Sequence, residues 1–326
     1  LKFAIREKPV KLIWLEALKR RLFEDDPDFS FYNEQFRRFD AGFAGERRVD
    51  REWLELVCPY TFLMLHNLIL MNSAQHSHQL DTLFICSNFM LVVEIKNING
   101  RLDFDDITHQ CIRTKPDGTV EGFPNAITQT QRHMQFLKVI FQNYSLPIEG
   151  AVIIANSSAI IASHPNTIPI FHVSGLQKHL HSLFNKYTQT ILSDVQLTEI
   201  AQLLLSRHQP SKIPAAIDSS RFRQGVLCPK CKYKSQMHYA RGIWRCLYCQ
   251  NTSEEIFAEA LQDYQYLVRP TITNKQLREF FGIHSSDAAN RLLRKFQFPY
   301  TGSYKNRVYR LPENLVEYMK PFFRSP

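Results

Sequence analysis

Gln79-Leu-Asp-Thr-Leu-Phe-Ile85 and Leu91-Val-Val-Glu-Ile-Lys-Asn97 decide the reading of this chain. Both are short β-rich runs, predicted as strands over Thr82 to Cys86 and Phe89 to Ile95 and joined tightly through Cys86-Ser-Asn-Phe89. Residues two apart on a strand share a face, so Glu94 and Lys96 point together while Ile95 turns into the core. Asp81 opens the earlier strand and can join them from next door. Phosphodiester hydrolysis asks for such a group: carboxylates hold a divalent metal that binds the phosphate and a water, and a nearby cation steadies developing charge. An isolated Glu-x-Lys is ordinarily a solvated cross-strand pair. Here the flanks are strongly apolar, which favours a buried functional site.

Outward from this centre, Tyr60 to Leu65 and Asn67 to Met71 read as two further strands. Upstream, Gly42 and Gly45 precede a helix over Glu46 to Leu56, with Val49, Trp53, Leu54 and Val57 at helical spacing. An earlier amphipathic helix covers Val10 to Phe23 and is ended by Asp25-Asp26-Pro27. Downstream come a helix over Asn125 to Asn143 and the continuous β-branched run Gly150 to Ala155, expected to be a strand buried on both faces. Helices over Leu176 to Phe184 and Val195 to Ser206 follow, and then a linker around Pro210 and Pro214.

The stretch from Gln79 to Ile85 with Leu91 to Asn97 and Gly100, preceded by Gly45-Glu46, resembles the nuclease-related domain (NERD), a branch of the PD-(D/E)xK nuclease superfamily. The resemblance covers roughly residues 38 to 155. It implies an α/β fold with a restriction-endonuclease-like central mixed sheet flanked by helices. It also implies that Asp81 and Glu94 ligate Mg²⁺ or Mn²⁺, that Lys96 positions the attacking water or steadies charge, and that Glu46 is an accessory ligand. Where members carry Asn-Pro and then Gln at a helix start, this chain has Asn125-Ala126-Ile-Thr-Gln129, departing at the proline and placing Gln129 in the site. His133, one turn later, faces the same way. Its plain reading is a polar position on a helix, and no spacing ties His66, His76 or His78 to a metal.

Cys228-Pro-Lys-Cys231 and Cys246-Leu-Tyr-Cys249 are two knuckles fourteen residues apart. Four thiolates so arranged can surround one structural Zn²⁺ and hold together a unit too small for its own core. The segment resembles a zinc ribbon. Cys58, Cys86 and Cys111 are scattered, and read as small buried groups. Beyond the knuckles, Thr273 caps a helix over Asn274 to Phe281, Gly282 turns the chain, and Ser285 or Ser286 caps a second helix through Phe296. Tyr300 to Leu311 then reads as a hairpin with a basic tip. This order resembles a winged helix-turn-helix, implying that Asn290, Arg291 and Arg294 face the major groove and that Lys305 and Arg307 touch phosphate. A winged helix used only for protein contacts is the plainer alternative.

Charge agrees with a polyanionic partner. The net charge is +9, and residues 218 to 326 hold 18 Lys+Arg against 9 Asp+Glu, so that segment carries the whole surplus. No run of eighteen apolar residues and no secretory signal is present, and paired Cys-x-x-Cys motifs suit a reducing compartment, so a soluble cytoplasmic protein is expected. The expected organisation is an N-terminal helical extension (1–37), a nuclease-like domain (38–206), a linker (207–223), a zinc ribbon (224–254) and a winged-helix-like DNA-binding domain (255–326). The expected function is a metal-dependent deoxyribonuclease, with a non-catalytic DNA-binding or regulatory protein as the alternative.

Overall fold

The computed structural model describes residues 6–105, 107–214 and 216–323. The first five residues of the expected N-terminal extension, Asp106 of the expected nuclease-like domain, Ala215 of the linker and the last three residues lie outside the described ones. The chain forms two compact units, one of residues 1–9 and 39–211 and one of residues 10–38 and 212–326. The helix expected over Val10 to Phe23 is α1 (Val10–Arg21), and it belongs to the second unit. It is followed by α2 (Phe29–Trp53), which is divided between the units after Arg38. The sequence-based expectation began this second helix only at Glu46; the structure carries it through Gly42 and Gly45 without a break.

The first unit contains β1 (Phe62–Met71), β2 (Ser77–Cys86), β3 (Met90–Lys96), β4 (Arg101–Asp105), β5 (Gln110–Thr114), β6 (Val120–Pro124), α3 (Ala126–Ile140), β7 (Ile148–Ile154), β8 (Ile160–Ser163), β9 (Ile170–His172), α4 (Leu176–Lys186) and α5 (Asp194–Arg207). Its main sheet has the order β1-β2-β3-β7-β9. The first three strands are antiparallel, and β3–β7 and β7–β9 are parallel, so the sheet is mixed. A second sheet, β6-β5-β4-β8, was not anticipated from the sequence.

Helices cover both faces of the main sheet. On one, Val49 and Trp53 of α2 and Leu176, Leu180 and Phe184 of α4 pack on Leu91, Val93 and Ile95. On the other, Leu137 of α3 and Leu197, Ile200 and Leu204 of α5 pack on Met90 and Val92. Strand alternation therefore turns Glu94 to the α3 side. Along β2, Leu80 and Leu83 both join the α3/α5 core, although three residues apart they belong on opposite faces of a regular strand. In β1, Leu65 and Leu68 do the same. The alternation slips in both strands where Asn67, in the left-handed region at φ 50°, stands between the paired positions His66↔Thr82 and Leu68↔Leu80.

The second unit adds β10 (Val226–Leu227), β11 (Gln236–Ala240), β12 (Ile243–Cys246), β13 (Thr252–Ser253), α6 (Ile256–Leu267), β14 (Thr271–Thr273), α7 (Asn274–Phe281), α8 (Ser286–Lys295), β15 (Tyr300–Thr301), β16 (Val308–Arg310) and α9 (Leu315–Met319). Strands β10 to β13 form an antiparallel sheet around the knuckles. Trp244 of β12 stacks on Phe257 of α6, whose ring meets Phe281 of α7 and Phe296. Thr273 closes a capping box on α7, Gly282 ends it at φ 66°, and Ser285 caps α8. Strand β16 pairs with both β14 and β15. Helix α1 packs on α6, where Arg21, 1% exposed, gives Nε to Asp263 Oδ2 at 2.7 Å, and Arg20 Nη2 reaches Asp263 Oδ1 at 2.5 Å.

Candidate metal-dependent nuclease centre

The ladder between β2 and β3 ends at Thr82↔Val93, and beyond it the strands part. Asp81 fills the gap: its Oδ2 accepts from the Ile95 N–H at 2.8 Å, so its carboxylate stands between Glu94 and Lys96 in the sequence of β3. Lys96 Nζ donates to Glu94 Oε1 at 2.6 Å and to Gln129 Oε1 at 3.2 Å. Gln129 is held there by the first turn of α3, where the Asn125 side chain accepts from Ile127 N and so serves as N-cap. Lys96 and Gln129 also line a cavity of about 140 Å³ walled by Ile98, Phe104 and Phe123.

Glu46 reaches the centre from α2, and its approach depends on the residue before it. A Cβ on Gly45 would stand 2.5 Å from Asn97 Cβ at the end of β3, so only glycine lets the helix come this close. Asn97 Nδ2 in turn donates to Ala41 O at 2.7 Å. Glu46 Oε2 accepts from Arg6 Nη1 at 2.8 Å. Arg6 was missed by the sequence reading. Its side chain, 1% exposed, also donates to Asp50 through Nε (2.8 Å), to the Asp81 carbonyl (2.9 Å) and to Thr82 Oγ1 (2.7 Å), and approaches His66 Nδ1 at 3.0 Å. No sequence signal pointed to it, because these partners lie 40 to 76 residues away. Asp50, one turn after Glu46 on the same helix, was legible by spacing.

The electrostatics are those of crowded acids. Burial, then the Asp81 charge, pushes Glu94 up to about 8. Burial and the Asp81 charge likewise push Glu46 up to about 7, against the pull of Arg6. Asp81 is raised by burial, in spite of its hydrogen bond from Ile95. Burial opposes the Lys96 charge, but Glu94 and Asp81 outweigh it and the ammonium is favoured.

Whether these residues suit a divalent cation can be judged from their unmet demand. Four carboxylates (Glu46, Asp50, Asp81, Glu94) share two cations, Arg6 and Lys96. The buried Oε2 of Glu94 has no hydrogen-bond partner, a costly state for a carboxylate oxygen. A hard, oxygen-seeking cation meets both deficits. Glu46, Asp81 and Glu94 do not close to within 4.8 Å of one another; among the described residues the four knuckle cysteines are the group that does. There Sγ of Cys228 and Cys249 are 3.5 Å apart, and those of Cys231 and Cys246 3.7 Å. A tetrahedron with Zn–S of ~2.3 Å has edges of ~3.8 Å, so the thiols already stand at the spacing zinc requires. Burial raises Cys246, but the backbone N–H groups of Cys249 and Tyr248 more than offset it and bring that thiol to about 7.

Of the expected DNA contacts, Arg291, Arg294 and Lys305 are exposed. Asn290 is half-buried and accepts at Oδ1 from Asn274 Nδ2 at 2.8 Å. Arg307 lies with its guanidinium 4.7 Å from the Tyr300 ring centre. His133 is buried against His78. No helix among the described residues is long and apolar enough to cross a membrane.

Residues 41–155 match the family described as the nuclease-related domain (NERD), a stretch that lies inside the first unit and contains Glu46, Asp81, Glu94, Lys96 and Gln129. Comparison with curated proteins finds no match. Among solved structures, the small subunit of the heterodimeric restriction endonuclease R.BspD6I is similar at 12% identity, covering 60% of this chain and 88% of that one, with a TM-score of 0.22. At that score the likeness carries no argument, and the nuclease-related character rests on the family match and on the site.

Proposed function

We propose that the first unit is a Mg²⁺- or Mn²⁺-dependent deoxyribonuclease. The observation that carries this reading is the buried, unpartnered Oε2 of Glu94 beside the Asp81 carboxylate and the Lys96 ammonium, within the segment that matches a nuclease-related family. Asp81 and Glu94 would hold the cation, with Glu46 as accessory ligand; once bound, it supplies Lewis-acid stabilisation of phosphate charge and a water acidified for attack. Lys96, held by Glu94 and Gln129, presents a fixed positive charge to the phosphate oxygens. Gln129 orients that ammonium and can accept a hydrogen from the water.

The second unit would deliver the enzyme. Its four thiolates bind a structural Zn²⁺, and its helix-turn-helix and hairpin act as a winged helix that sets Asn290, Arg291 and Arg294 toward the major groove and Lys305 and Arg307 toward phosphate. A protein that cuts DNA and carries these modules suits DNA repair or defence against foreign DNA. The direct test is incubation of the full chain with linear, circular and single-stranded DNA, with Mg²⁺, Mn²⁺ or chelator. Cleavage that needs metal and disappears in Asp81→Ala and Glu94→Ala is expected; equal cutting by those variants would end the assignment. A second reading, a non-catalytic DNA-binding protein, is favoured by the Arg6 guanidinium already seated on Glu46. Binding without cutting, in every metal, would select it.

A further inference from the structure

On the α3 side of β2 the first unit holds a second, larger cavity of about 590 Å³. Met71, His76, His78, Arg132, Phe136 and Arg207 are among its walls, and no acidic side chain lines it. Arg132 and Arg207 are exposed, and neither has a carboxylate partner among the described residues. His78 is buried and lies flat on Phe136, with ring centres 4.0 Å apart and 7° between planes. Its Nδ1 is 3.1 Å from Nδ1 of the buried His133, which fixes the imidazole in place. Two guanidinium groups without counter-charge suit a phosphate. A rigid, flat, partly apolar wall suits a planar ring, and the neighbouring Gln135 amide offers both a donor and an acceptor to its edge. A bare phosphate would leave the apolar wall uncovered, and an acidic peptide would leave the flat one unused.

We propose that this cavity binds a nucleoside monophosphate unit, its phosphate met by Arg132 and Arg207 and its base by the wall of His78, Phe136 and Met71. Helix α3 ties it to the candidate centre. Gln129 touches Lys96 on the first turn, and Arg132 and Phe136 follow three and seven residues later, ~4.5 and ~10 Å along the axis. The occupant is therefore a nucleotide close along the strand to the bond that is cut, its base turned out against the wall, a placement that rests on the proposed nuclease function while the binding site itself does not.

The test uses the full chain with isotope-labelled histidine, in chelator so that nothing is cleaved, titrated with dAMP, inorganic phosphate or a single-stranded hexanucleotide. dAMP is expected to shift the His78 and His133 resonances saturably, phosphate at equal concentration to leave them unmoved, and the hexanucleotide to act at lower concentration than dAMP. Arg132→Ala and Arg207→Ala, both surface changes, should each weaken dAMP about tenfold, or about 1.4 kcal/mol. No shift with dAMP, an equal shift with phosphate, or unchanged binding by both variants would overturn the assignment. A hexanucleotide weaker than dAMP would overturn the placement on a strand. Binding of dAMP here by a protein that cuts no DNA would sink the nuclease and leave the cavity's role standing; a cutting protein whose cavity ignores dAMP would do the reverse.

Discussion

Replacing Glu94 by Gln should make the first unit more stable in the absence of metal, by an amount that grows with pH. The neutral acid is the form the apo fold tolerates, since Glu94 is 2% exposed and its pKa is raised from 4.5 to about 8. A raised carboxyl contributes full stability below its unfolded value and loses it as pH climbs through the folded one. Each pH unit in that window costs about 1.4 kcal/mol, so the parent at pH 7 is about 3 kcal/mol less stable than it is at pH 4.5 from this group. Gln keeps an acceptor for Lys96 and has no proton to lose, so its curve omits this decline. Trp53, stacked on Phe84 in the first unit's core, reports the unfolding once Trp14 and Trp244 are changed to Phe. Urea titrations in chelator from pH 4.5 to 7 should show the gap between parent and variant widening by about 3 kcal/mol. With saturating Mg²⁺ the parent should recover stability at pH 7 and the variant should not. Parallel curves across the window, with no metal effect, would refute the picture of a buried carboxyl awaiting a cation.

Asp263→Ala removes the partner of the buried Arg21 and of Arg20, and should destabilise the second unit by about 3–5 kcal/mol, read by Trp244 fluorescence in denaturant; a loss below about 1 kcal/mol would show the pair to be dispensable. Gly45→Ala forces a methyl to 2.5 Å from Asn97 Cβ and should cost about 1–3 kcal/mol, with cleavage falling as Glu46 is pushed away; an unchanged melting temperature would contradict the close approach. Elemental analysis should find one zinc per chain, lost in Cys231→Ser together with the second unit's cooperative melting; a zinc-free, stable parent would argue against a ribbon. Affinity of the full chain for DNA should fall steeply with salt, and Lys305→Ala and Arg307→Ala, the proposed phosphate contacts, should each flatten the log–log slope by about one. Slopes equal to the parent's would remove those side chains from the interface.

The parts of this chain legible in its sequence are those decided by neighbours. Glu94 and Lys96 share a face because they are two apart on β3, and the knuckle cysteines gather because each pair is three apart in a tight turn. Caps at Thr273 and Ser285 fall where expected for the same reason. What escaped the reading depends on distant partners. Gly42 and Gly45 look like breakers, yet α2 runs through them because Asn97 needs Gly45 bare. The second sheet is built from strands of only about five residues, such as β4 and β6; Arg101 to Asp105 alternates polar and apolar residues, but too briefly to announce a strand before its partners are known. Tyr60 to Leu65 and Asn67 to Met71 read as two strands because Asn67 interrupts the pattern; the backbone absorbs it as a left-handed residue inside one. Arg6 carries no local signature at all.

That interruption matters to anyone who edits these strands. Upstream of the slip in β2, even-numbered positions such as His78 and Leu80 face α3 and α5; downstream, odd-numbered Leu83 and Ile85 do. A library that kept even positions apolar and odd ones polar throughout would be right up to Leu80 and would then put polar residues into the core at Leu83 and Ile85, since both faces are buried from Thr82 to Cys86. The acid itself stands at the changeover, where neither rule applies, and so can leave the sheet's faces altogether and reach sideways to a neighbouring strand's backbone.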